Sequence, residues 1–139
     1  MRVMGLDVGG KRIGIALSDE TGTIAQGKGV YRRRGLEEDL RFLAGKAREW
    51  GVERIVVGLP LNMDGTEGEG ARGAREFAEA LERVAKIPVE LWDERLTTAE
   101  AERVLLEADL SRRKRREIRD QLAAVLILQS WLDARRNKP

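Results

Sequence analysis

A chain of 139 residues that carries no cysteine and no histidine has no disulfide framework, no thiolate or imidazole metal site and no imidazole base. Its length suits one domain, its apolar runs are too short to span a bilayer, and its start lacks the charged-then-apolar layout of a leader; the expected setting is the cytoplasm, with no membrane partner. A net charge of only +2 accompanies a pI of about 9.2, and that near balance hides two local runs of cations, Arg32-Arg33-Arg34 and Arg112 to Arg119. Such runs suit polyphosphate partners, and each taken alone also fits an ordinary solvated surface.

Residues 2–8, 12–18 and 23–30 have the pattern of three strands, joined by the Gly9-Gly10 turn and by Asp19-Glu20-Thr21-Gly22. Turns this short make the three an antiparallel meander. From Gly35 the period changes. Leu36, Leu40, Leu43, Ala47 and Trp50 recur at helical spacing, and Gly51 stops the segment. Ile55-Val56-Val57 is a short, wholly apolar strand, as in the covered middle of a sheet. The stretch 64–70, rich in glycine and acids, is expected to be a loop. A second helix is expected over 71–86, with Phe77, Ala78, Leu81, Val84 and Ala85 on its apolar face. Pro88 precedes a strand over Val89–Trp92, and Asp93-Glu94-Arg95 follow it. Thr97 and Glu100 form a capping box for a helix to about Asp109, and Ser111 can cap a last helix over 112–135.

This order predicts an α/β fold. Three antiparallel strands followed by right-handed parallel crossovers make a mixed five-stranded sheet flanked by helices, in a single domain over 1–139. Trp50, Trp92, Trp131, Phe42 and Phe77 stand at apolar positions and are expected in the core, which leaves little aromatic surface for a dedicated single-strand binder.

A site in such a sheet forms beyond the C-terminal ends of the parallel strands. Acids fall there. Asp7 stands late in the first strand, where an ionised carboxylate needs a metal, an Arg or N–H donors to offset burial. It would equally serve as an Asp that hydrogen-bonds the Gly9-Gly10 turn. Asp93 and Glu94 follow the last strand and could simply pair with Arg95. Asp120 shares a helix face with Ala123, Ala124 and Ile127, small enough for close approach to the sheet, or pairs with Arg116 one turn earlier. Carboxylates converging from different elements suit two Mg²⁺ ions roughly 3.5–4 Å apart, chemistry that needs no histidine. Lys11, Arg12, Arg95 and the 112–119 run supply cations for a phosphate backbone.

Four stretches span nearly the whole chain: Gly5-Leu6-Asp7-Val8-Gly9 with Lys11-Arg12-Ile13-Gly14; Val57-Gly58-Leu59-Pro60-Leu61-Asn62-Met63-Asp64-Gly65; Asp93-Glu94-Arg95-Leu96-Thr97-Thr98; and Asp120-Gln121-Leu122-Ala123-Ala124. In this order they resemble the YqgF family of the RNase H-like superfamily, also described as Holliday-junction-resolvase-like. The resemblance implies an RNase H-like fold and a hydrolase: a metal-dependent endonuclease, using Mg²⁺ or Mn²⁺, that matures the 5′ end of the 16S ribosomal RNA precursor. It carries over Asp7, Glu94 and Asp120 as the catalytic, metal-binding acids, with Asp93 as the substitute for the second. Strand alternation puts Asp93 on the face of Leu91 without deciding between the neighbours. Lys11, Arg12, Asn62, Arg95 and Arg116 are the expected nucleic-acid contacts, although the loop that holds Asn62 fits a purely structural turn as well.

The same acids would serve a resolvase acting on four-way DNA, and a homodimer rather than a monomer would favour that substrate. A non-catalytic RNA-binding module would keep the basic runs without needing clustered acids. A nucleotide-binding ATPase of the actin and sugar-kinase kind also opens with an Asp-x-Gly hairpin, but it needs two lobes and this chain has room for one.

Overall fold

The computed structural model describes residues 1–97 and 112–136, the side chains of 112–120 excepted. Its elements in chain order are β1 (Arg2–Val8), β2 (Arg12–Ser18), β3 (Ala25–Arg32), α1 (Leu36–Glu49), β4 (Val52–Leu59), α2 (Glu69–Ala85), β5 (Val89–Asp93), a 3₁₀ turn (Glu94–Leu96) and α3 (Arg112–Arg136). The five strands form one mixed sheet in the order β3-β2-β1-β4-β5. β1–β2 and β2–β3 are antiparallel, and β1–β4 and β4–β5 are parallel. The β2–β3 register shifts between Gly14 and Ala16, and β3 and β5 are the two edges.

Both faces of the sheet are covered, and the two-residue period of the strands sorts side chains between them. Met4, Leu6, Ile13, Ile15, Leu17, Val57 and Leu59 face one way and pack with Leu40 and Leu43 of α1 and Phe77 and Leu81 of α2. Val3, Ala16, Ala25 and Val56 face the other way, under Ala124, Ile127, Leu128, Trp131 and Leu132 of α3. α3 lies close because the sheet is bare beneath it. A Cβ on Gly5 would fall 2.6 Å from Leu128 Cβ and 3.2 Å from the Ala124 carbonyl oxygen. Trp131 donates its indole N–H to Glu90 at 2.9 Å, and Trp92 donates to Ser130 at 3.0 Å, which fastens α3 to β5. Among the described residues no helix is long and apolar enough to cross a membrane.

Several boundaries differ from the sequence expectation. β3 begins at Ala25 and runs to Arg32, because the Asp19 carboxylate accepts from the Thr23 and Ile24 amides (2.8 and 3.0 Å) and holds the turn closed up to Ile24. β4 extends to both sides of its apolar centre. Its polar start is secured by Arg54, which pairs with Glu90 of β5 at 3.0 Å. α2 starts at Glu69, within the stretch expected to be a loop. Phe77 and Trp131 are buried as expected, whereas Phe42, Trp50 and Trp92 are only half-buried at the margins of the two cores. The capping partner Glu100 and the helix expected up to Asp109 lie outside the described residues. Thr97 is described, and its hydroxyl donates to the Glu94 carbonyl at 2.9 Å.

Candidate active site

β1, β3, β4 and β5 run in the same direction, so their C-terminal ends open at one end of the sheet. Asp7 is the penultimate residue of β1, opposite Gly14 of β2, and is half-buried. Strand alternation from Val3 and Gly5 places it on the α3 face. The next strand pairs Leu6 with Val57, which brings Gly58 beside Asp7. A Cβ on Gly58 would meet Ile127 Cδ1 at 2.5 Å and a Glu94 carboxylate oxygen at 3.0 Å. Glu94 therefore reaches back from the turn after β5 and occupies the space that a side chain at Gly58 would fill. Neighbouring strands lie about 4.8 Å apart, so this carboxylate stands roughly one strand spacing from Asp7, on the same face.

Asp93 has a different surrounding. It pairs in register with Leu59, whose side chain belongs to the α1–α2 core, so the strand carries it on the face away from Asp7. Its carboxylate accepts from the Arg95 amide at 2.9 Å and from the Arg95 guanidinium at 2.8 and 3.1 Å. The Arg95 hydrogen bonds outweigh partial burial and hold the Asp93 carboxyl below the ordinary Asp range. Glu94 is the neighbour that shares a face with Asp7. The 3₁₀ turn, which breaks the alternation of β5, is what re-aims it.

Arg95 also donates to the Met63 carbonyl at 3.2 Å, tying the loop after β4 to the turn after β5. Within that loop Asn62 is used structurally. Its amide donates to the Thr66 hydroxyl at 2.9 Å, and its backbone N–H donates to the Thr66 carbonyl at 2.9 Å. Asp64 accepts from both the backbone and the hydroxyl of Thr66. Gly65 closes the turn with φ 87°, a conformation that favours glycine.

Asp120 lies on α3, which runs antiparallel to β3 and β1. Gln129 meets Ala25 at the start of β3, and Gln121 lies against Gly27 further along it. Position 120 is one turn, about 6 Å, before Ala124. Asp7 is two residues, about 6.6 Å, beyond Gly5, the residue beneath Ala124. The helix thus carries position 120 toward the end of the sheet where Asp7 stands. The side chains of Asp120 and Arg116 lie outside the described residues. Among the described residues no three His, Cys, Asp or Glu side chains form a metal-binding group. Asp7 and Glu94 are two oxygen donors of the expected set, and oxygen donors without sulfur or imidazole fit a hard divalent cation.

Arg12 opens β2 and pairs in register with Arg32 of β3. Both alternate onto the face of Asp7. Lys11 is exposed in the first turn. The run Arg32-Arg33-Arg34 is not uniformly solvated. Arg33 donates to the buried Asp39 at 2.8 Å and to the Gly9 carbonyl at 3.0 Å, with its guanidinium 5.3 Å from the centre of the Phe77 ring. Burial pushes the Asp39 carboxyl up, but hydrogen bonds from the Arg34 amide, Arg33 and the Tyr31 hydroxyl together bring it below the ordinary range. Sequence reasoning did not single out Gly58 or Asp39. Gly58 carried one signal, a glycine at the end of an apolar strand run. Asp39 carried none, since a helix N-terminus favours acids in any case.

A mixed sheet ordered 3-2-1-4-5, with an acid at the end of its central strand, is the RNase H-like architecture. RuvC of T. thermophilus, solved with a Holliday junction substrate, superposes with a TM-score of 0.62 at 15% identity, covering 99% of this chain and 97% of that one. The fowlpox virus resolvase, solved with Holliday junction DNA, gives 0.58 at 11% identity over 96% and 98% of the two chains. At these identities the likeness is one of fold. At the level of sequence, residues 1–134 match the family RuvX: Holliday junction resolvase. A relative from Syntrophomonas wolfei, named "Putative pre-16S rRNA nuclease", is 58% identical over 133 residues, covering 96% of this chain and 94% of its own. One from Symbiobacterium thermophilum bearing the same name is 57% identical over 139 residues, with 100% and 96% covered. The chain belongs to the RuvX family, also called YqgF.

Proposed function

We propose that this chain is an endonuclease that hydrolyses a phosphodiester of the 16S ribosomal RNA precursor at its 5′ end, through a single domain over 1–139, with Asp7, Glu94 and Asp120 holding the divalent cations. One observation carries this reading: two half-buried carboxylates, from the ends of β1 and the β5 turn, share one face of the sheet beside Gly58 and under α3. The names of relatives more than 50% identical over almost the full chain support the RNA substrate.

Bound Mg²⁺ or Mn²⁺, two ions in the full arrangement, supplies activation of water and neutralisation of charge on the leaving oxygen. The chain does the rest. Asp7 and Glu94 offer oxygen ligands from separate elements, so their spacing is set by the sheet. Gly58 keeps the space between strand and helix clear for Glu94. Arg12 and Arg32 lie on the same face as Asp7 and bear on the phosphates of the strand to be cut, with Lys11 beside them in the turn. Arg95 orients the loop of Asn62 against the turn that carries Glu94.

The test is cleavage of a labelled precursor RNA end and of a four-way DNA junction, with Mg²⁺ or Mn²⁺ and with EDTA, by the chain and by its Asp7→Asn variant. RNA cleavage lost in EDTA and in the variant is the expected result. Paired cuts in the junction, with the RNA left whole, would transfer the activity to branched DNA. Binding of RNA without any cleavage would replace the nuclease with a non-catalytic module.

A further inference from the structure

We infer that the groove where β3 passes into α1 is a second nucleic-acid contact, which holds two phosphates of the strand flanking the cleaved bond. The inference rests on the nuclease reading and extends it to a surface remote from the acids.

The groove has a volume of about 430 Å³ and is lined by Tyr31, Arg34, Glu38, Arg41 and Phe42. Its wall is aromatic: Tyr31 stacks on Phe42 with ring centres 4.3 Å apart and planes 15° from parallel. Arg34 and Arg41 are both exposed and face a single carboxylate, Glu38, while the neighbouring Arg32 is also exposed. Guanidinium forks match phosphate oxygens, and an aromatic wall takes a ribose or base of any sequence.

The groove is held in shape from below. Asp39 is fully buried and accepts from the Arg34 amide at 2.9 Å, from Arg33 at 2.8 Å and from the Tyr31 hydroxyl. One acid thus fixes both the backbone that presents Arg34 and the ring that forms the wall, so little ordering remains to be done on binding.

Position completes the argument. The C-terminal end of β3 opens at the same end of the sheet as Asp7, with β2 between them. Tyr31 and Phe42 lie on the α1 face of the sheet and Asp7 on the α3 face, so a nucleic-acid strand joining the two places rounds the β3 edge. Two strand spacings alone are about 10 Å, and a stacked strand rises about 3.4 Å per nucleotide, so the groove lies more than about three nucleotides from the bond at the acids. Arg32, on the face of Asp7, stands next to Arg33 and Arg34 where the chain turns toward the groove, and continues the positive track between the two places.

The experiment compares the chain with Arg34→Ala/Arg41→Ala and with Glu38→Gln. RNA binding, in the Asp7→Asn background with Mg²⁺, is measured as a function of salt. One RNA carries several unpaired nucleotides on each side of the cleavage position, and a second is trimmed to two on each side. On the long RNA the double variant is expected to flatten the slope of log affinity against log salt by about 1.4, the value for two single-strand phosphate contacts. With Asp7 restored, KM rises while kcat is kept. On the trimmed RNA the difference disappears. Glu38→Gln binds the long RNA more tightly, a gain that damaged folding cannot produce. An unchanged slope for the double variant on the long RNA would overturn the groove and leave the nuclease standing. A change that persists on the trimmed RNA would also overturn it, by placing these arginines at the cleavage site itself. Failure of the unsubstituted chain to bind or cut either RNA would overturn the nuclease reading and the groove together.

Discussion

Replacing Gly5 by alanine puts a methyl group where α3 rests on the sheet. The new Cβ would stand 2.6 Å from Leu128 Cβ, and ordinary contact begins at 3.4 Å, so the helix must withdraw by about 0.8 Å. Neither neighbour is the far end of a flexible side chain: one is a Cβ and the other a backbone carbonyl, that of Ala124 at 3.2 Å. Overpacking of this kind costs typically about 1–3 kcal/mol. The lost backbone freedom of the unfolded chain returns about 0.4–1 kcal/mol, so a net loss of about 1–2 kcal/mol is expected. For a chain of this length that lowers the melting temperature by roughly 3–8 °C. Activity should fall much further. α3 carries Asp120, and a misplacement near 1 Å in a catalytic constellation costs about 10²-fold in rate. Melting is followed by circular dichroism, and cleavage rates are taken well below the melting point with saturating Mg²⁺. Gly10→Ala is the control, because nothing lies within 4 Å of a Cβ there. If Gly5→Ala melted and cut like the unsubstituted chain, or if Gly10→Ala lost as much, the close seating of α3 would not govern the site.

Glu94→Gln should lower cleavage by about 10²-fold or more with little change in melting, whereas Asp93→Asn should keep cleavage, since its carboxylate is committed to Arg95; the reverse pattern would make Asp93 the ligand. Asn62→Ala and Thr66→Ala should have the same modest effect on KM, because the two side chains bond each other; an effect confined to Asn62→Ala would make the amide a direct substrate contact. The Asp39 carboxyl is held below its ordinary value of 3.8 in the fold, so its contribution to stability is complete above that pH and is lost as the pH falls through the lowered value. Asp39→Asn should therefore cost about 3 kcal/mol at pH 7 and flatten the loss of stability below pH 4. Urea midpoints between pH 7 and pH 3 check this, and parallel pH profiles for the two proteins would contradict it.

The order of elements was legible because alternation and helical spacing are local properties. β1 and β2 fall on the expected residues, and the mixed sheet follows from short turns and then long crossovers. Asp7 was legible for the same reason, as a charge inside an apolar strand. The choice between Asp93 and Glu94 was not. Alternation stops where a strand stops, and only the 3₁₀ turn and the bare Cα of Gly58 show which acid turns toward α3. Arg33 was hidden inside a basic run. Its commitment to Asp39 depends on how β3 meets α1, a contact six residues apart that no periodicity marks. Phe42 was expected in the core and is only half-buried, because β3 is an edge, with no further strand to cover the ring.

That edge has a consequence for the protein at high concentration. An outer strand offers its unpaired amides and carbonyls to any other sheet. Here β3 carries Lys28 and Arg32, a register shift against β2, and Gly29 at φ 101°. A second strand laid along it would meet charge and a twisted, interrupted ladder. At the opposite rim β5 is only five residues long. Neither rim is a good template for fibre-like growth. The chain can keep a strand end open to a long polyanion without exposing a flat edge to its own copies.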